Sequence, residues 1–510
     1  MGRKEFKGSI TVFFSMVCLL FLSLICATVE SARVQGAKAQ AANIIGMGNF
    51  SLLGEYENGL LESYGIFSLD GSYGEGAFRI EKVKQRLEEY LSYNADPKKD
   101  VFFPWHFDPW NLELTDSEVS GYALLTDEKG EAFYQQAVSY MKANAAVLAI
   151  DKLFEYTKET KEIKNWQEKY EKSQKNSDDE IYQLEDKKRK KLEAMESEAQ
   201  EAKENGTEIV LVPEEPKNNP LKEIAKLRKK STLEIVTWDK EISEKKINIR
   251  NFPSKNRNRK GTLKLEKEHS GLISDVLFRE YLMMHFPDYL SDGEGTALDY
   301  QLEYILGGKN TDKQNLKYVV NRLLLIREGM NYLYGLQNQN MSMKTEGLAI
   351  TLTGFLGIPA LTAATKHALL LAWAYGESLV DVRILLDGGK VPVFKDTSTW
   401  ALTIENLGRI TEILREGARD KGKGLNYQEY LRILLHMGSV SSQKMRALDM
   451  IQAELRATDQ SPHFKAENCI VAIETNTVWN CRPVFLSLPQ AVMGVSGKRT
   501  GFVQKGSITY

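Results

Sequence analysis

A run of 21 residues from Ser9 to Val29 contains no charged residue, no proline and no glycine. A helix of that length extends about 31 Å, which matches the hydrocarbon core of a bilayer. Arg3, Lys4 and Lys7 precede the run, and basic flanks favour the cytoplasmic side of a membrane. The sequence therefore predicts a transmembrane helix over 9–29, with residues 1–8 in the cytoplasm and the bulk of the chain outside the cell membrane.

Two other interpretations of this run stay open. A secretory signal peptide could be cleaved after Ala27, although its apolar region usually has only about 7–15 residues. The run could also be the buried helix of a soluble domain. Cys18 and Cys26 lie inside it, where we expect small apolar side chains that face lipid or another helix, with lipidation as a minor alternative.

The segment after the run contains no proline and is rich in helix-forming residues. We therefore expect the membrane helix to continue outside the membrane as an amphipathic helix to about Leu61. Mostly small side chains recur at spacings of three and four residues, a pattern that allows close helix packing. This stripe either packs on its own domain or against other subunits; it consists of Val34, Ala37, Ala41, Ile44 and Gly48.

The charge balance and the motifs argue against several functions. The 67 Lys and Arg residues nearly equal the 69 Asp and Glu residues, so a generic nucleic-acid binder is not expected. None of the six histidines lies in a metal-binding motif, and no nucleotide-binding loop or nucleophile elbow occurs. Glu377 and Asp381 share a helix face beside Arg383 and are interpreted as structural. We predict no catalytic, cofactor-binding or metal-binding residues and no enzymatic activity.

Changes in composition divide the rest of the chain. About half of residues 151–230 are charged, which predicts a charged helical or coiled-coil insertion with a linker over 151–260. Strand and helix patterns alternate on either side of it, over 30–150 and 261–510, and the segment Leu298–Leu306 is interpreted as a strand. The predicted fold class is α+β, with an extracytoplasmic mixed domain that includes a helical-bundle portion.

Two local patterns carry further predictions. The 19 residues 347–365 are uncharged and predict a buried helix that starts near Pro359, with a second membrane span as the alternative. Near the C-terminus, two short strands flank a turn at Thr475 and Asn476. Cys469 and Cys481 lie symmetrically about that turn, so a disulfide between them is possible, and two unpaired buried cysteines are the alternative.

Several segments resemble a known group of membrane proteins. The stretch KGSITVFFSMVCLLFLSLICATVESARVQ, from Lys7, resembles the start of TadE/TadG-type pseudopilins of Tad (Flp) pilus systems. It is also similar to an uncharacterised family from Gram-positive bacteria, and so are residues 303–334 and 369–395. The resemblance implies a single-pass, outward-facing protein of pilus or surface-appendage assembly, without a known activity. One departure is Phe13, since prepilin peptidases that cut after a glycine such as Gly8 usually meet Glu five residues later.

The function predicted from the sequence is structural. The protein would be a pseudopilin-like component of a Tad-type pilus or a related secretion apparatus, in contact with the lipid bilayer and with other pilus or secretion subunits. Two alternatives stay open: a membrane-anchored extracellular enzyme, for example one that acts on the cell wall, and a ligand-binding sensor domain.

Overall fold

A computed structural model describes residues 7–96, 110–144, 150–204, 219–238, 240–291, 297–416, 422–457, 461–485 and 500–510. For residues 7–9 and 150–159 it describes the backbone only. Arg3, Lys4 and His106 lie outside the described residues.

Helices dominate the chain, and a small antiparallel sheet completes it. The helices are α1 (Lys7–Leu53), α2 (Asn58–Tyr64), α3 (Ile80–Ala95), α4 (Asp127–Ala143), α5 (Ile150–Glu204), α6 (Pro220–Arg228), α7 (Thr232–Val236), α8 (Leu272–His285), α9 (Gln301–Gly307), α10 (Asp312–Gln337), α11 (Gln339–Thr353), α12 (Pro359–Leu386), α13 (Ile410–Glu416), α14 (Tyr427–Met437) and α15 (Val440–Ala457). The strands are β1 (Leu69–Asp70), β2 (Leu112–Leu124), β3 (Cys469–Cys481) and β4 (Thr500–Thr509). This composition confirms the α+β fold class.

The chain forms two compact units. Unit 1 comprises Met1–Ala137, Lys255–His269 and Leu455–Tyr510, and unit 2 comprises Val138–Ser254 and Ser270–Glu454. Each unit combines segments that are distant in the sequence, so the units do not coincide with the ranges 30–150, 151–260 and 261–510 expected from composition. The C-terminal strands fold with the N-terminal helix in unit 1, because their pairing partner β2 and the packed half of α1 are both there.

Strand β3 organises unit 1. It pairs antiparallel with β2 along one edge, and with β4 and the short β1 along the other. One face of the sheet, with α1 and α3, encloses an apolar core. The core contains Ile44, Leu52, Leu87, Ile473 and Trp479, all of them buried.

Helix α1 has two different halves. Its N-terminal part exposes large apolar side chains such as Phe14 and Leu20. From Glu30 onward, one side of the same unbroken helix packs against α3, β3 and β4. The helix ends at Leu53 rather than near Leu61, because the chain turns at Gly54 before α2 begins.

Unit 2 is a helical assembly built around α10 and α12. Helix α12 begins at Pro359, and most of its side chains are buried, as the buried-helix interpretation predicts. The charged helix α5 packs against α10, α12 and α14 through buried side chains that include Ile163 and Tyr170. Its first half is therefore part of this unit rather than a separate arm.

The strand predicted over Leu298–Leu306 is wrong. Residues Gln301–Gly307 form helix α9, and Gly308 ends it in a left-handed conformation with φ of 62°. Both sides of this short helix are buried. The alternating apolar and polar residues of LDYQLEYIL are the pattern of a half-buried strand. Tertiary packing overrides this pattern, because the polar residues Gln301 and Glu303 are buried as well.

Candidate functional site

The first candidate site is the exposed apolar part of α1. Within the described residues, one helix is long and apolar enough to cross a membrane; it lies within Ile10–Leu53, and its apolar stretch is not buried by the rest of the chain. Ser15, Ser23 and Thr28 donate their hydroxyl groups to the carbonyl oxygens three residues earlier. Since those hydroxyls are bonded inside the helix, the surface of the apolar part of α1 is compatible with a hydrocarbon environment.

An ion pair lies where the apolar part ends and the packed part begins. Arg33 Nη2 is 2.5 Å from Glu30 Oε1, and both side chains are buried. The Glu30 carboxylate also accepts hydrogen bonds from the backbone N–H groups of Val484 and Phe485. Burial alone would raise the pKa of Glu30, but the bonds from Arg33, Phe485 and Val484 hold it below its usual value. Arg33 therefore keeps an ionised partner at neutral pH.

The same arginine ties α1 to two other segments of unit 1. Its Nη1 and Nη2 atoms donate to the backbone carbonyl oxygens of Trp110 and Arg482. The ring of Trp110 also fills the space beside Gly36, where an added Cβ would lie 2.0 Å from it. These contacts fix the orientation of the folded unit on the helix next to its apolar part.

The small-residue stripe of α1 faces its own domain. Ala37, Ala41, Ile44 and Gly48 are buried, and Val34 is partly buried. A Cβ on Gly48 would lie 2.8 Å from the Leu91 side chain of α3. The interpretation of this stripe as a subunit interface is therefore wrong, because the fold of unit 1 already covers it.

The disulfide prediction is also wrong. Cys469 and Cys481 are both buried and are not joined in a disulfide, and they are the first and last residues of the single strand β3. Twelve residue steps along a strand separate their Cα atoms by about 40 Å, far beyond disulfide range. Thr475 and Asn476 form no turn, because β2 and β4 pair with β3 across both of these residues.

The second candidate site is a cluster of four charged side chains buried in unit 2. Asp381 Oδ2 lies 3.0 Å from Arg327 Nε, and Asp381 Oδ1 lies 2.5 Å from Lys395 Nζ. Lys395 also contacts Glu377. All four side chains are almost completely buried, and their formal charges sum to zero.

Neutral groups complete the hydrogen bonding of this charge cluster. Arg327 donates to Asn331 Oδ1, to the Tyr430 hydroxyl and to two backbone carbonyl oxygens. Asn331 in turn donates to Asp381 Oδ2 at 2.9 Å. The Glu377 carboxylate accepts the backbone N–H groups of Ala401 and Leu402, each at 2.8 Å. The cluster thereby connects α10, α12, α14 and the loop that follows α12.

The electrostatics keep the central carboxylate charged. Burial by itself would raise the pKa of Asp381, but Lys395 and Arg327 beside it hold that pKa below its usual range. The adjoining space lined by Asp381, Lys395 and Thr399 has a volume of about 20 Å³, enough for about one water molecule. This arrangement is suited to holding helices in place and leaves no room for a substrate.

Sequence reasoning recovered only part of this cluster. Glu377 and Asp381 were expected to form a structural pair beside Arg383, but Arg383 pairs with Asp387 instead. Arg327 and Lys395 were missed. The available signal was the position of Arg327 directly after the apolar run Leu323–Ile326, since a charge that such a run carries into the core needs a partner.

The described residues thus form an α+β protein with one N-terminal helix of membrane-spanning length. Its helical unit is held together by a buried cluster of four charged side chains. Among the described residues, no group of three or more His, Cys, Asp or Glu side chains is placed to bind a metal ion. Residues 211–481, just over half of the chain, match a family described as a family of unknown function (DUF5702), and the chain belongs to that family. Comparisons with curated proteins and with solved structures give no significant match.

Proposed function

We propose that this protein is a membrane-anchored, pseudopilin-like structural component of a Tad-type pilus or a related secretion apparatus, without catalysis. The observation that carries this proposal is the continuity of α1 from its exposed apolar part into the core of unit 1. A continuous helix transmits position and rotation, whereas a flexible linker would not. Lateral packing of the helix among other membrane subunits would therefore determine where the attached unit lies.

The proposed location is the cell membrane, with a short cytoplasmic N-terminus and the bulk of the chain outside. Arg3, Lys4 and Lys7 before the apolar run support this orientation. Epitope tags placed before Met1 and after Tyr510 test it in intact cells. Added trypsin should destroy the C-terminal tag and spare the N-terminal one. Protection of both tags, or the reverse pattern, would contradict the orientation.

The side of α1 that faces away from the rest of unit 1 is the surface that we assign to subunit packing. Its exposed residues repeat at spacings of three and four and carry no charge, in a chain in which 27% of residues are charged. Phe50 at the end of this surface is 73% exposed. We call it the outward face of α1; it consists of Ala32, Gln35, Ala39, Asn43, Gly46 and Phe50.

Substitutions at Gly46 and Gly48 of α1 allow an effect on subunit assembly to be distinguished from an effect on folding. A Cβ on Gly46 meets nothing within 4 Å, whereas a Cβ on Gly48 meets Leu91. We expect Gly46→Leu to leave unit 1 folded but to reduce recovery of partner subunits at least fivefold after cross-linking in native membranes. Gly48→Leu is expected to destabilise unit 1 by about 1–3 kcal/mol through overpacking.

Thermal unfolding of the two purified variants checks the distinction. Normal partner recovery with a stably folded Gly46→Leu variant would contradict the assignment of the outward face. Loss of stability in that variant would contradict the exposed position of Gly46. Ala39→Leu on the same face serves as a milder second variant, because it lengthens an exposed side chain without filling the space beside a glycine.

An anchored enzyme or a ligand-binding sensor is the alternative function. Either would use a cleft of about 300–1,000 Å³ with converging polar groups. The space beside the charge cluster is far smaller, and the cleft lined by Arg322, Arg446 and Gln443 in unit 2 has about 170 Å³. A groove between α11 and α12 has about 520 Å³, but its lining is mostly apolar or small, and its charged residues Glu346 and Lys366 pair with each other. No observation among the described residues favours catalysis, so the structural role is the one that we propose.

A further inference from the structure

A cleft in unit 2 presents hydrogen-bond donors without an opposing carboxylate. It has a volume of about 170 Å³ and lies between α9, α10 and the turn that joins α14 to α15. Apolar residues of α9 and α14 form part of its lining, and no Asp or Glu of the described chain belongs to that lining. We call it the arginine cleft; its polar residues are Tyr318, Arg322, Ser439, Ser442, Gln443 and Arg446.

The local sequence brings three of these side chains to the start of α15. Gly438 ends α14, and α15 begins at Val440, so Ser439 lies in the short turn between the two helices. Ser442 and Arg446 follow Ser439 at spacings of three and four residues, which places them on one face of the helix. The first N–H groups of a helix lack intrahelical acceptors and carry partial positive charge, so this face attracts anions.

Arg446 connects the arginine cleft to the end of α9. Its Nη1 atom donates to the carbonyl oxygens of Ile305 and Leu306, at 3.0 and 2.6 Å, so these carbonyls repel an anion less than free ones would. Asp449, one turn further along α15, is completely buried and accepts hydrogen bonds from two other groups of unit 2. It attracts Arg446 electrostatically but lies outside the lining of the cleft. Asp449 therefore weakens the positive potential of the cleft without neutralising it.

Arg322 contributes a second positive charge that is open to solvent. It is exposed on α10, and its guanidinium group lies 6.0 Å from the ring centroid of Tyr318, one helical turn earlier. Within the described residues Arg322 forms no ion pair and no hydrogen bond, and the hydroxyl groups of Tyr318, Ser439 and Ser442 form no hydrogen bond either. These donors of α10 and of the start of α15 are therefore free to bind a ligand.

Gln443 adds a buried acceptor to a wall that otherwise offers donors. Its side chain is 2% exposed, and its Nε2 atom donates to the carbonyl oxygen of Leu435 at 2.6 Å. Its Oε1 atom has no hydrogen-bond partner among the described residues. Buried polar atoms nearly always have a partner in native proteins. The free oxygen is therefore a second sign, independent of the positive charges, that this cleft binds a ligand, and that the ligand can also donate a hydrogen bond.

We propose that the arginine cleft binds a phosphate group, either as free phosphate or as a small phosphate monoester. Guanidinium groups and helix N-termini are frequent partners of phosphate oxygens. The donors of the cleft come from α10, from α15 and from the turn before α15. A tetrahedral anion has acceptor oxygens in several directions and suits such an arrangement, whereas the two oxygens of a carboxylate lie in one plane.

The proton content and the size of the ligand narrow the proposal. A phosphate group that retains a proton supplies the donor that Gln443 Oε1 lacks, whereas sulfate carries no proton. A volume of about 170 Å³ is below the range of about 300–1,000 Å³ for larger ligands, so the phosphate is free or carries a small group. This site goes beyond the proposed structural role and does not depend on it.

Calorimetric titration of the purified full chain in detergent tests the proposal. The probes are inorganic phosphate and glycerol 3-phosphate, in a phosphate-free buffer at about pH 5.5, where most of both probes keeps a proton because the second pKa of a phosphate group is about 6 or higher. Sulfate, which is tetrahedral without a proton, and acetate, which is a carboxylate, are the comparison anions. At equal ionic strength, at least one phosphate probe should bind at least tenfold more tightly than sulfate and acetate.

The two phosphate probes distinguish the sources of the phosphate group. Tighter binding of inorganic phosphate supports the free anion as the ligand, and tighter binding of glycerol 3-phosphate supports a monoester. Equal affinities for all four anions would indicate a non-selective basic surface and would overturn the proposal. A preference for sulfate or acetate, or the absence of measurable binding of both phosphate probes, would overturn it as well.

Two substitutions on α10 show whether the bound anion lies in the arginine cleft. Arg322→Gln removes an exposed charge that lines the cleft, and Lys313→Gln removes an exposed charge of the same helix outside it. Arg322→Gln should weaken phosphate binding at least fivefold, whereas Lys313→Gln should keep the wild-type affinity. Equal weakening in both variants would indicate a general effect of net charge and would contradict the assignment.

A variant without a change of charge guards against a folding defect. Ser439 and Ser442 are exposed, so the double substitution Ser439→Ala and Ser442→Ala should leave the midpoint of thermal unfolding unchanged and weaken phosphate binding at least threefold. Thermal unfolding of Arg322→Gln is measured in parallel. Wild-type phosphate affinity in both the Arg322 variant and the double serine variant would overturn the proposal.

Discussion

Replacing Asp381 with alanine is expected to lower the free energy of unfolding by about 3–5 kcal/mol. The substitution leaves Arg327 and Lys395 buried near a single remaining carboxylate, Glu377. One anion does not fully compensate two cations in a low-dielectric interior. Asn331 also loses one of its two acceptors and keeps the Ser378 hydroxyl. Urea unfolding of the purified full chain, followed by tryptophan fluorescence, measures the effect.

An exposed ion pair in the same unit serves as the control. Glu405 lies 3.3 Å from Lys344, and more than half of each side chain is exposed. We expect Glu405→Ala to change the free energy of unfolding by less than about 1 kcal/mol. Asp381→Asn retains hydrogen-bonding groups without the charge and should fall between the two variants. Equal stabilities of all three would contradict the role assigned to the charge cluster.

The second large effect is expected in the apolar part of α1. The double substitution of Leu20 and Leu24 by arginine should release the protein from membranes. Each arginine near the centre of a spanning helix costs about 2.5–3.5 kcal/mol on insertion scales, so the pair opposes insertion by about 5–7 kcal/mol. The fraction that sediments with membranes after an alkaline carbonate wash measures the release.

The matched control places the same two arginines outside the apolar part. Tyr182→Arg with Leu336→Arg changes exposed residues of α5 and α10. This variant should stay in the membrane fraction as the wild-type protein does. Retention of the α1 variant would show that α1 does not anchor the chain, whereas release of the control would indicate a general effect of added charge.

Several elements could be predicted because their signals are local. A helix of membrane-spanning length over 9–29 follows from an uninterrupted apolar sequence. The start of α12 follows from Pro359, whose fixed φ suits the first turn of a helix. The α+β class likewise followed from alternating helix and strand patterns. The position of the helix that is long and apolar enough to cross a membrane could therefore be predicted from the sequence alone.

Other elements depended on contacts between distant segments. The residues of β3 look like two short strands, yet their register with β2 and β4 runs through Thr475 and Asn476. The absence of glycine and proline at that point was a weak signal for one continuous strand. The partners of Asp381 also lie far away in the sequence, at Arg327 and Lys395, and no spacing rule connects them.

The amino-acid sequence by itself determined that α1 is apolar along a membrane-spanning length, because helix propensity and hydrophobicity are properties of neighbouring residues. Only the tertiary structure decided which side of α1 is covered by the rest of unit 1 and which side is exposed. The small-residue stripe fits equally well against α3 or against a separate subunit, since close packing does not depend on which chain supplies the partner. The position of Leu87 and Leu91 of α3 against that stripe resolved the choice.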